Sequence, residues 1–379
     1  MLQARMEHSA VATNGMIYVF GGRDADGRGV APLTSVEAYN PSGDRWEKLR
    51  DLPFPLYQAG VEALGDKIFL FGGLTSQNEL PSRAVLVYHI PRDTFFFGGP
   101  LPSPRHAMGV ARHDRTITII GGLGKNADEY LADGLFFDAE RYRPTPLLPI
   151  PLAMFGIAQR NGVVWTVGGI NRGLVDQLYA LKGERWEGIA TLPAPAGKLS
   201  CAFMGDTLVI AGGFGRNRAG EPSQILKDVR GYITEQDEWL ELPDMKYARA
   251  ALATVELYGK VYVIGGLNFQ RSYQRVVLNN VEVLDNLTGA NAEEPLPTAH
   301  NLVTVHPNPT NGPINFTLPA TSVQVNIFDL AGRAVASQIL PQGRQWSWQT
   351  DDRNAGVYIY EVLHANGKKI TTGKFVVLK

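Results

Sequence analysis

The stretch "GMIYVFGG" (residues 15–22) decides the fold, because an apolar run that ends in a double glycine recurs five more times along the chain. The other copies are "DKIFLFGG" (66–73), "RTITIIGG" (115–122), "GVVWTVGG" (162–169), "DTLVIAGG" (206–213) and "GKVYVIGG" (259–266). Successive glycine pairs stand 44 to 53 residues apart, a period that fits a repeated unit of four β-strands.

The repeats also carry other parts in a constant order: a strand of small residues before the double glycine, a third strand after it and, except in the sixth repeat, an aromatic fourth strand. This order predicts a β-propeller, with small side chains near the axis and aromatic side chains between blades. The predicted structural residues are Gly21, Gly22, Gly72, Gly73, Gly121, Gly122, Gly168, Gly169, Gly212, Gly213, Gly265, Gly266, Trp46, Trp186 and Trp239.

A double glycine after an apolar strand, followed by Tyr and Trp at loose spacing, resembles the kelch repeat. The resemblance implies an all-β fold with a six-bladed kelch-type β-propeller, which we place at residues 1–297. Copper oxidases built on kelch propellers need a cysteine crosslinked to tyrosine. The single cysteine, Cys201, lies in a strand-like segment without the other ligands, so we expect no cofactor and no metal.

The composition excludes several classes of protein. A formal net charge of −1, from 36 basic and 37 acidic residues, gives no field that would draw the chain onto nucleic acid. No apolar run reaches the roughly 18–20 residues that span a bilayer. A hydrophobic content of 44% and 41 glycines indicate a folded β protein with many tight turns.

The last part of the chain follows a different pattern, which predicts a small Ig-like β-sandwich at residues 298–379. Its segments "HPNPTNG", "VNIFDLAGR", "GVYIYEV" and the terminal "GKFVVLK" resemble the type A C-terminal sorting domain of the type IX secretion system. The residues that carry this resemblance are Pro307, Asn308, Pro309, Gly312, Gly332, Arg333, Gly356, Tyr358, Gly373, Lys374 and Lys379. The alternative is an appended sandwich that only binds or dimerises.

The resemblance implies an address: the type IX machinery as partner, and secretion or attachment at the outer-membrane surface of a didermal bacterium. Such cargo needs a signal peptide, and "MLQARMEHSA" has no apolar h-region. The sixth repeat also lacks an aromatic fourth strand. We therefore expect residues upstream of Met1 that complete the ring; a cytoplasmic protein is the alternative.

Three arginines share one register position, sixteen residues before the first glycine of their repeat: Arg5, Arg105 and Arg249. At the same position the other repeats have Leu56, Leu152 and Ala196. A ring of guanidinium groups at the channel mouth would bind a carboxylate, sulfate or phosphate. Alternatively, each arginine pairs with a neighbouring loop and is structural.

The loops that follow the double glycines offer further candidates for ligand binding, since loops on one propeller face carry function. The candidates in repeats 5 and 6 are Arg216, Arg218, Phe269, Arg271 and Tyr273. Aromatic residues among arginines suit stacking on sugar rings, and they equally suit a loop folded over the face. In repeat 1, Asp24 and Asp26 resemble the start of a calcium loop, but without a closing glutamate we expect a polar turn.

No nucleophile–base motif, zinc motif or phosphate loop occurs in the sequence. The leading hypothesis is an exported, non-catalytic binding module that holds a glycan or protein on its loop face. The alternative is an enzyme similar to bacterial sialic acid mutarotases, which needs a carboxylate beside an arginine cluster; Glu7 and Glu62 lie near the right strands. An intracellular adaptor of the eukaryotic kelch type is a third hypothesis, and it requires that the tail is not a sorting signal.

Overall fold

A computed structural model describes most of the chain and divides it into two compact units, Met1–Asn291 and Ala292–Lys379. The described residues are 1–26, 29–75, 80–113, 115–126, 128–216, 223–269, 275–287, 304–306, 310, 312–317, 323–330, 332–340, 345–350, 353–364 and 369–378. Every structural statement below refers to them. Apart from one short 3-10 helix at Ile90–Arg92, the regular structure is antiparallel β-sheet.

The first unit contains six main sheets, each formed by one repeat and called a blade here. The first strands of the blades are Ser9–Thr13, Gly60–Leu64, Gly109–His113, Gly156–Arg160, Ser200–Met204 and Ala253–Leu257. The second strands are Met16–Phe20, Lys67–Phe71, Thr116–Ile120, Val163–Val167, Thr207–Ala211 and Lys260–Ile264. Each second strand ends immediately before a double glycine.

The outer half of each blade completes the sheet in sequence order. The third strands are Val36–Asn40, Val85–His89, Gly134–Phe137, Gln177–Lys182, Val229–Ile233 and Val281–Leu284. The fourth strands are Arg45–Lys48, Thr94–Phe97, Tyr142–Pro144, Arg185–Thr191 and Glu238–Leu242. Within its described residues, blade 6 has three strands.

Short strands decorate the loops beyond the double glycines. Arg23–Asp26 pairs with Gly29–Pro32 in blade 1, and Leu267–Phe269 pairs with Arg275–Val277 in blade 6. In blade 5, Phe214–Gly215 lies between Ala196–Gly197 and Gln224–Ile225. All of these loops lie at the end of the blades where the first strands begin, and we call this end the loop face.

The blades form a closed ring, because the first strand of each blade contacts the first strand of the next, and the blade 6 strand contacts that of blade 1. One backbone hydrogen bond repeats at every junction. The second glycine of a blade donates its N–H to the carbonyl oxygen of the residue sixteen positions before the next double glycine. The acceptors are Leu56, Arg105, Leu152, Ala196, Arg249 and Arg5, at 2.7–2.9 Å.

This junction, called the seam here, explains the first glycine of each pair. Gly72 has a φ of +59°, and a Cβ built on it would lie 2.2 Å from the Arg105 carbonyl oxygen. A side chain at that position would therefore collide with the backbone of the next blade and would also strain the left-handed conformation.

Small residues near the axis have a similar steric origin. A Cβ built on Gly60, the first residue of an inner strand, would lie 2.1 Å from the Val110 side chain of the next blade. The three tryptophans pack farther out, against their own or the preceding blade. Trp46 stacks on Tyr39 with centroids 5.0 Å apart, and the Trp186 indole N–H donates to the Pro146 carbonyl oxygen at 3.1 Å. Trp239 packs against Tyr232.

The second unit contains two antiparallel sheets with an apolar core. One sheet consists of Thr304–His306, Ile314–Thr317 and Gln345–Trp348, and the other of Ala334–Leu340, Val323–Phe328, Gly356–His364 and Lys369–Val377. The core includes Phe316, Trp348, Tyr358 and Phe375, whose rings contact one another.

Candidate functional site

The loop-face end of the channel is encircled by six residues, each fourteen positions before the first glycine of its repeat. They are Glu7, Gln58, Ala107, Met154, Lys198 and Ala251. Their backbones form a closed cycle, in which each N–H donates to the carbonyl oxygen of the preceding member at 2.8–3.0 Å. All six have φ between 51° and 56°, and none is glycine. Left-handed residues of this kind are strained and tend to cluster at functional sites.

We call the cavity inside this cycle the mouth. It has a volume of about 130 Å³ and is lined by the six cycle residues and the residue after each. The lining is uneven around the ring. Blades 1 and 2 contribute a carboxylate and an amide, blade 5 contributes a lysine, and blades 3, 4 and 6 contribute Ala107, Met154 and Ala251.

Hydrogen bonds link the polar side of the mouth across three blades. The Arg23 Nε–H donates to Glu7 Oε2 at 2.6 Å, and the guanidinium lies over the Tyr57 ring, 4.6 Å from its centroid. The Gln58 amide donates to Glu7 Oε1 at 2.9 Å, and its oxygen lies 2.7 Å from His106 Nδ1. Burial lowers the pKa of His106. Both oxygens of Glu7 therefore have protein partners.

The opposite side of the mouth presents Lys198. Its side chain is partly buried and makes no ion pair or hydrogen bond with any described residue. Phe214 lies across from Gly197 on the paired strand, and its ring is 39% exposed. Blade 5 thus contributes a lysine to the mouth and an exposed aromatic residue to the loop face.

The three arginines at the shared register position do not line the mouth. Arg5 is fully buried and donates to the Gly21 carbonyl oxygen at 2.7 Å, to Ser35 and to the Glu37 carboxylate. Arg105 binds Gly121 and Asp133, and Arg249 binds Gly265 and Glu282 in the same way. Each guanidinium is therefore bound within its own blade, and the structure does not bring the three together.

The loop candidates lie on the loop face as far as they are described. Arg216 is exposed, lies two residues after Phe214 and has an interaction partner. Phe269 of blade 6 is 46% exposed. Arg218, Arg271 and Tyr273 lie outside the described residues. Asp24 accepts a hydrogen bond from the Ala25 N–H within the short strand Arg23–Asp26. Among the described residues no group of three or more His, Cys, Asp or Glu is placed to hold a metal ion.

Sequence reasoning missed Lys198 because lysines are common in loops. The repeat register could have identified it. The residues fourteen positions before the first glycine of each repeat line the mouth, whereas those sixteen positions before it do not. Glu7 was noted only for its proximity to an inner strand, and the structure places it in the mouth with Arg23.

In the second unit, the predicted sorting residues contribute mainly to turns and strand pairing. Gly332, with φ +78°, closes a turn in which Arg333 binds the Asp329 carboxylate at 2.8 Å. Gly312 binds Thr310 and Thr350, and the buried Tyr358 donates its hydroxyl hydrogen to the Asn354 carbonyl oxygen.

Three further sorting residues lie in the last hairpin. Gly356, Gly373 and Lys374 pair with Val377, Tyr360 and Ile359, respectively. Pro307, Asn308, Pro309 and Lys379 lie outside the described residues.

Family models match both parts of the chain. Residues 4–53 and 248–289 match the Kelch motif, and residues 304–378 match the secretion system C-terminal sorting domain. The chain contains kelch motifs and a C-terminal sorting domain. The expected resemblance to both families is thereby confirmed, as is the all-β fold class.

Individual relatives are distant and longer. The chain is 26% identical over 245 residues to the Kelch repeat and BTB domain-containing protein 1 of cowpox virus, covering 62% of this chain and 42% of that protein. It is 25% identical over 281 residues to the Kelch-like protein terF of Aspergillus terreus, covering 69% of this chain and 61% of that protein. The chain thus spans less than two thirds of the length of these relatives.

A solved structure shares the fold at low identity. The structure of YjhT superposes with a TM-score of 0.61 at 15% identity, and the match covers 74% of this chain and 98% of YjhT. The sorting domain indicates secretion or a location at the outer-membrane surface of a bacterium. No described helix is long and apolar enough to cross a membrane.

Proposed function

We propose that the chain is a non-catalytic binding module, delivered by the type IX secretion machinery of a didermal bacterium, which holds an acidic glycan at its loop face. The observation that carries the proposal is Lys198, a cation in the mouth without a described partner; the exposed Phe214 lies at the loop face of the same blade. Kelch repeats are typical of binding modules, and the sorting domain supports an exported location.

A lysine in the mouth and an exposed aromatic residue at the same end of blade 5 together favour a sugar acid over other ligands. The lysine amine would hold a carboxylate or sulfate, and the ring would stack on a sugar face. On the other side, Gln58 offers polar atoms to sugar hydroxyls, while Glu7 would repel a second acidic group from that half. The uneven mouth therefore suits a ligand with one acidic end. A protein ligand on the same face is the other form of this proposal.

The alternative proposal, an epimerase similar to sialic acid mutarotases, has weaker support at the mouth. That chemistry needs a carboxylate that accepts and returns a proton. Glu7 is the carboxylate of the mouth, and its two oxygens are occupied by Arg23 and Gln58. The predicted arginine cluster is distributed over separate blades. At the mouth, the geometry therefore favours binding over acid–base catalysis.

The test is an array of neutral, carboxylated and sulfated glycans, screened with the full chain. Lys198→Ala and Phe214→Ala should each weaken binding of an acidic glycan, Lys198→Ala by roughly tenfold or more, since a hydrogen bond to a charged group contributes about 1.5–3 kcal/mol.

The matched control is Lys260→Ala, which removes an exposed lysine at the start of a second strand, at the opposite end of the blades. Its binding should be unchanged. Equal binding by the Lys198→Ala variant, or binding of neutral glycans only, would contradict the proposed site. If no glycan binds, the acidic-glycan form fails and the protein-ligand form is favoured. Mutarotation of a bound sugar acid would favour the epimerase.

A further inference from the structure

The channel contains a second cavity below the mouth, which we call the bore. It has a volume of about 390 Å³ and is lined by central residues of the six inner strands. It shares no lining residue with the mouth. Small-molecule sites in proteins commonly measure about 300–1,000 Å³, so the bore is large enough for a molecule of monosaccharide size.

Most of the side chains that line the bore are apolar, and one carboxylate stands at an unusual register position. Ten residues before the first glycine, five inner strands carry Val11, Ala111, Ala158, Ala202 and Val255. The strand of blade 2 carries Glu62 there. Blade 2 therefore has a charged residue where the other blades have an apolar one. Glu62 forms no ion pair with a described residue of the neighbouring blades.

Glu62 is held in place by backbone donors only. Its Oε1 accepts the Ala63 N–H at 2.8 Å, and its Oε2 accepts the Arg112 N–H from the next blade at 3.0 Å. No described residue forms a salt bridge with it. Each oxygen keeps a second lone pair for a further donor. The carboxylate therefore has its position fixed while part of its hydrogen-bonding capacity remains unused.

The environment of the bore disfavours the ionised form of the Glu62 carboxyl group. Burial raises the pKa of Glu62 to about 7, and the two backbone N–H groups and the Arg112 charge offset the cost only in part. The other titratable groups that line the bore are Arg112 on the adjacent strand and, on blades 5 and 6, Cys201 and Glu256. Burial also raises the pKa of the Cys201 thiol, so it stays neutral near pH 7.

We propose that the bore is a binding site for a small organic cation, with its ammonium group against the Glu62 carboxylate and its carbon skeleton against the apolar wall. A cation is the ligand class that gains most, because it supplies the counter-charge that the blade lacks. Gln159 and Thr254 also line the bore and offer polar side chains to hydroxyl groups on the ligand. An amino sugar combines both features.

The experiment compares glucosamine with glucose, which has a hydroxyl group in place of the ammonium group, by titration calorimetry of the full chain at pH 7. Methylammonium serves as a probe of the ammonium contact alone. Glucosamine should bind at least tenfold more tightly than glucose. Binding should release protons, measured as a dependence of the heat on the buffer, because the cation lowers the pKa of Glu62.

Two variants locate the contact. Glu62→Gln keeps the shape and one of the two oxygens that accept backbone N–H groups but removes the charge, and it should weaken glucosamine binding at least tenfold and abolish proton release. Glu140→Gln removes an exposed carboxylate outside the bore and should leave the affinity unchanged.

Thermal unfolding of Glu62→Gln verifies the fold of the variant. Equal affinity for glucose and glucosamine, undiminished binding by Glu62→Gln, or absence of binding by both glucosamine and methylammonium would each overturn the proposal. The Lys198→Ala variant should bind glucosamine normally, so failure here and failure of the mouth proposal are distinguishable.

Discussion

Blades 1, 3 and 6 fill the buried space behind their seams with a guanidinium–carboxylate pair, whereas blades 2 and 4 fill the same space with apolar side chains. Blade 1 has Arg5 with Glu37, and blade 2 has Leu56 with Leu86. The backbone hydrogen bond of the seam is the same in both. The backbone hydrogen bond is therefore common to all repeats, whereas the space behind it can hold either an ion pair or apolar side chains.

Blade 5 also contains a buried guanidinium–carboxylate pair, but its arginine comes from a different strand. Its residue at the shared position is Ala196, and the guanidinium comes from Arg230 on the third strand, which lies opposite Ile210 as Glu37 lies opposite Val19 in blade 1. Arg230 binds Asp228 at 3.0 Å, and both are buried. The buried positive charge is thus kept although it moves to another strand.

The largest expected effect comes from removing one half of a buried pair. Arg5→Ala leaves Glu37, which is 2% exposed, without its counter-charge, and should lower the free energy of unfolding by roughly 3–5 kcal/mol. Replacing both residues by leucine, as in blade 2, should restore much of this loss, because no buried charge remains. Denaturant unfolding measures both variants; a double variant no more stable than Arg5→Ala would contradict the equivalence of the two fillings.

Replacing a glycine of the seam should lower the stability more than replacing a glycine in an ordinary turn. Gly72→Ala places a Cβ against the Arg105 carbonyl oxygen and should cost roughly 3 kcal/mol. Gly65→Ala is the matched control: its φ is +65°, but no atom lies within 4 Å of its Cβ, so only the strain of about 1–2 kcal/mol is expected. Similar losses of stability in both variants would show that conformation, and not the seam contact, determines the cost.

The seam between blades 6 and 1 should also be the most sensitive to acid. His8 lies there, where blades 5 and 6 carry Leu199 and Leu252, and its ring nitrogens are buried without hydrogen bonds. Burial beside Arg5 lowers the pKa of His8 to about 3. The folded state therefore keeps the ring neutral, and its stability decreases as pH falls below the unfolded value of about 6.5.

The His8→Leu variant should remove this dependence. From pH 7 to pH 5 the wild-type protein should lose about 2 kcal/mol of stability through this group, whereas His8→Leu should lose correspondingly less. Thermal unfolding at a series of pH values provides the measurement. Parallel pH profiles for the two proteins would mean that the ring finds a hydrogen-bond partner or becomes protonated without cost.

The buried arginines also change how a binding experiment should be designed. Alanine substitution of Arg5, Arg105 and Arg249 together would remove three buried cations and leave their carboxylates unpaired. Loss of ligand binding in such a variant would report unfolding. Lys198, Phe214 and Glu62 are better probes, since their side chains line cavities or the surface and none belongs to a buried ion pair.

The sequence determined the repeat, the strand order within each blade and the two families, because these depend on local patterns: the apolar run, the double glycine and the tail motifs. The sequence also showed that the three arginines share one register position. It did not show whether their side chains face the channel or the interior of their own blades. The residue two positions later adopts a left-handed conformation at the mouth, and the carbonyl group of the arginine itself is bound by the preceding blade.

Only the closed tertiary structure decided which residues face the channel. The six-residue hydrogen-bond cycle turns Glu7 and Lys198 toward the mouth, and the guanidinium of Arg5 binds the glycine carbonyl oxygen and the carboxylate of its own blade. Both outcomes depend on contacts between residues at least 16 positions apart in the chain. A local sequence pattern does not predict such contacts. The physical reason is that a buried charge takes the nearest fixed partner, and the ring of blades determines where that partner lies.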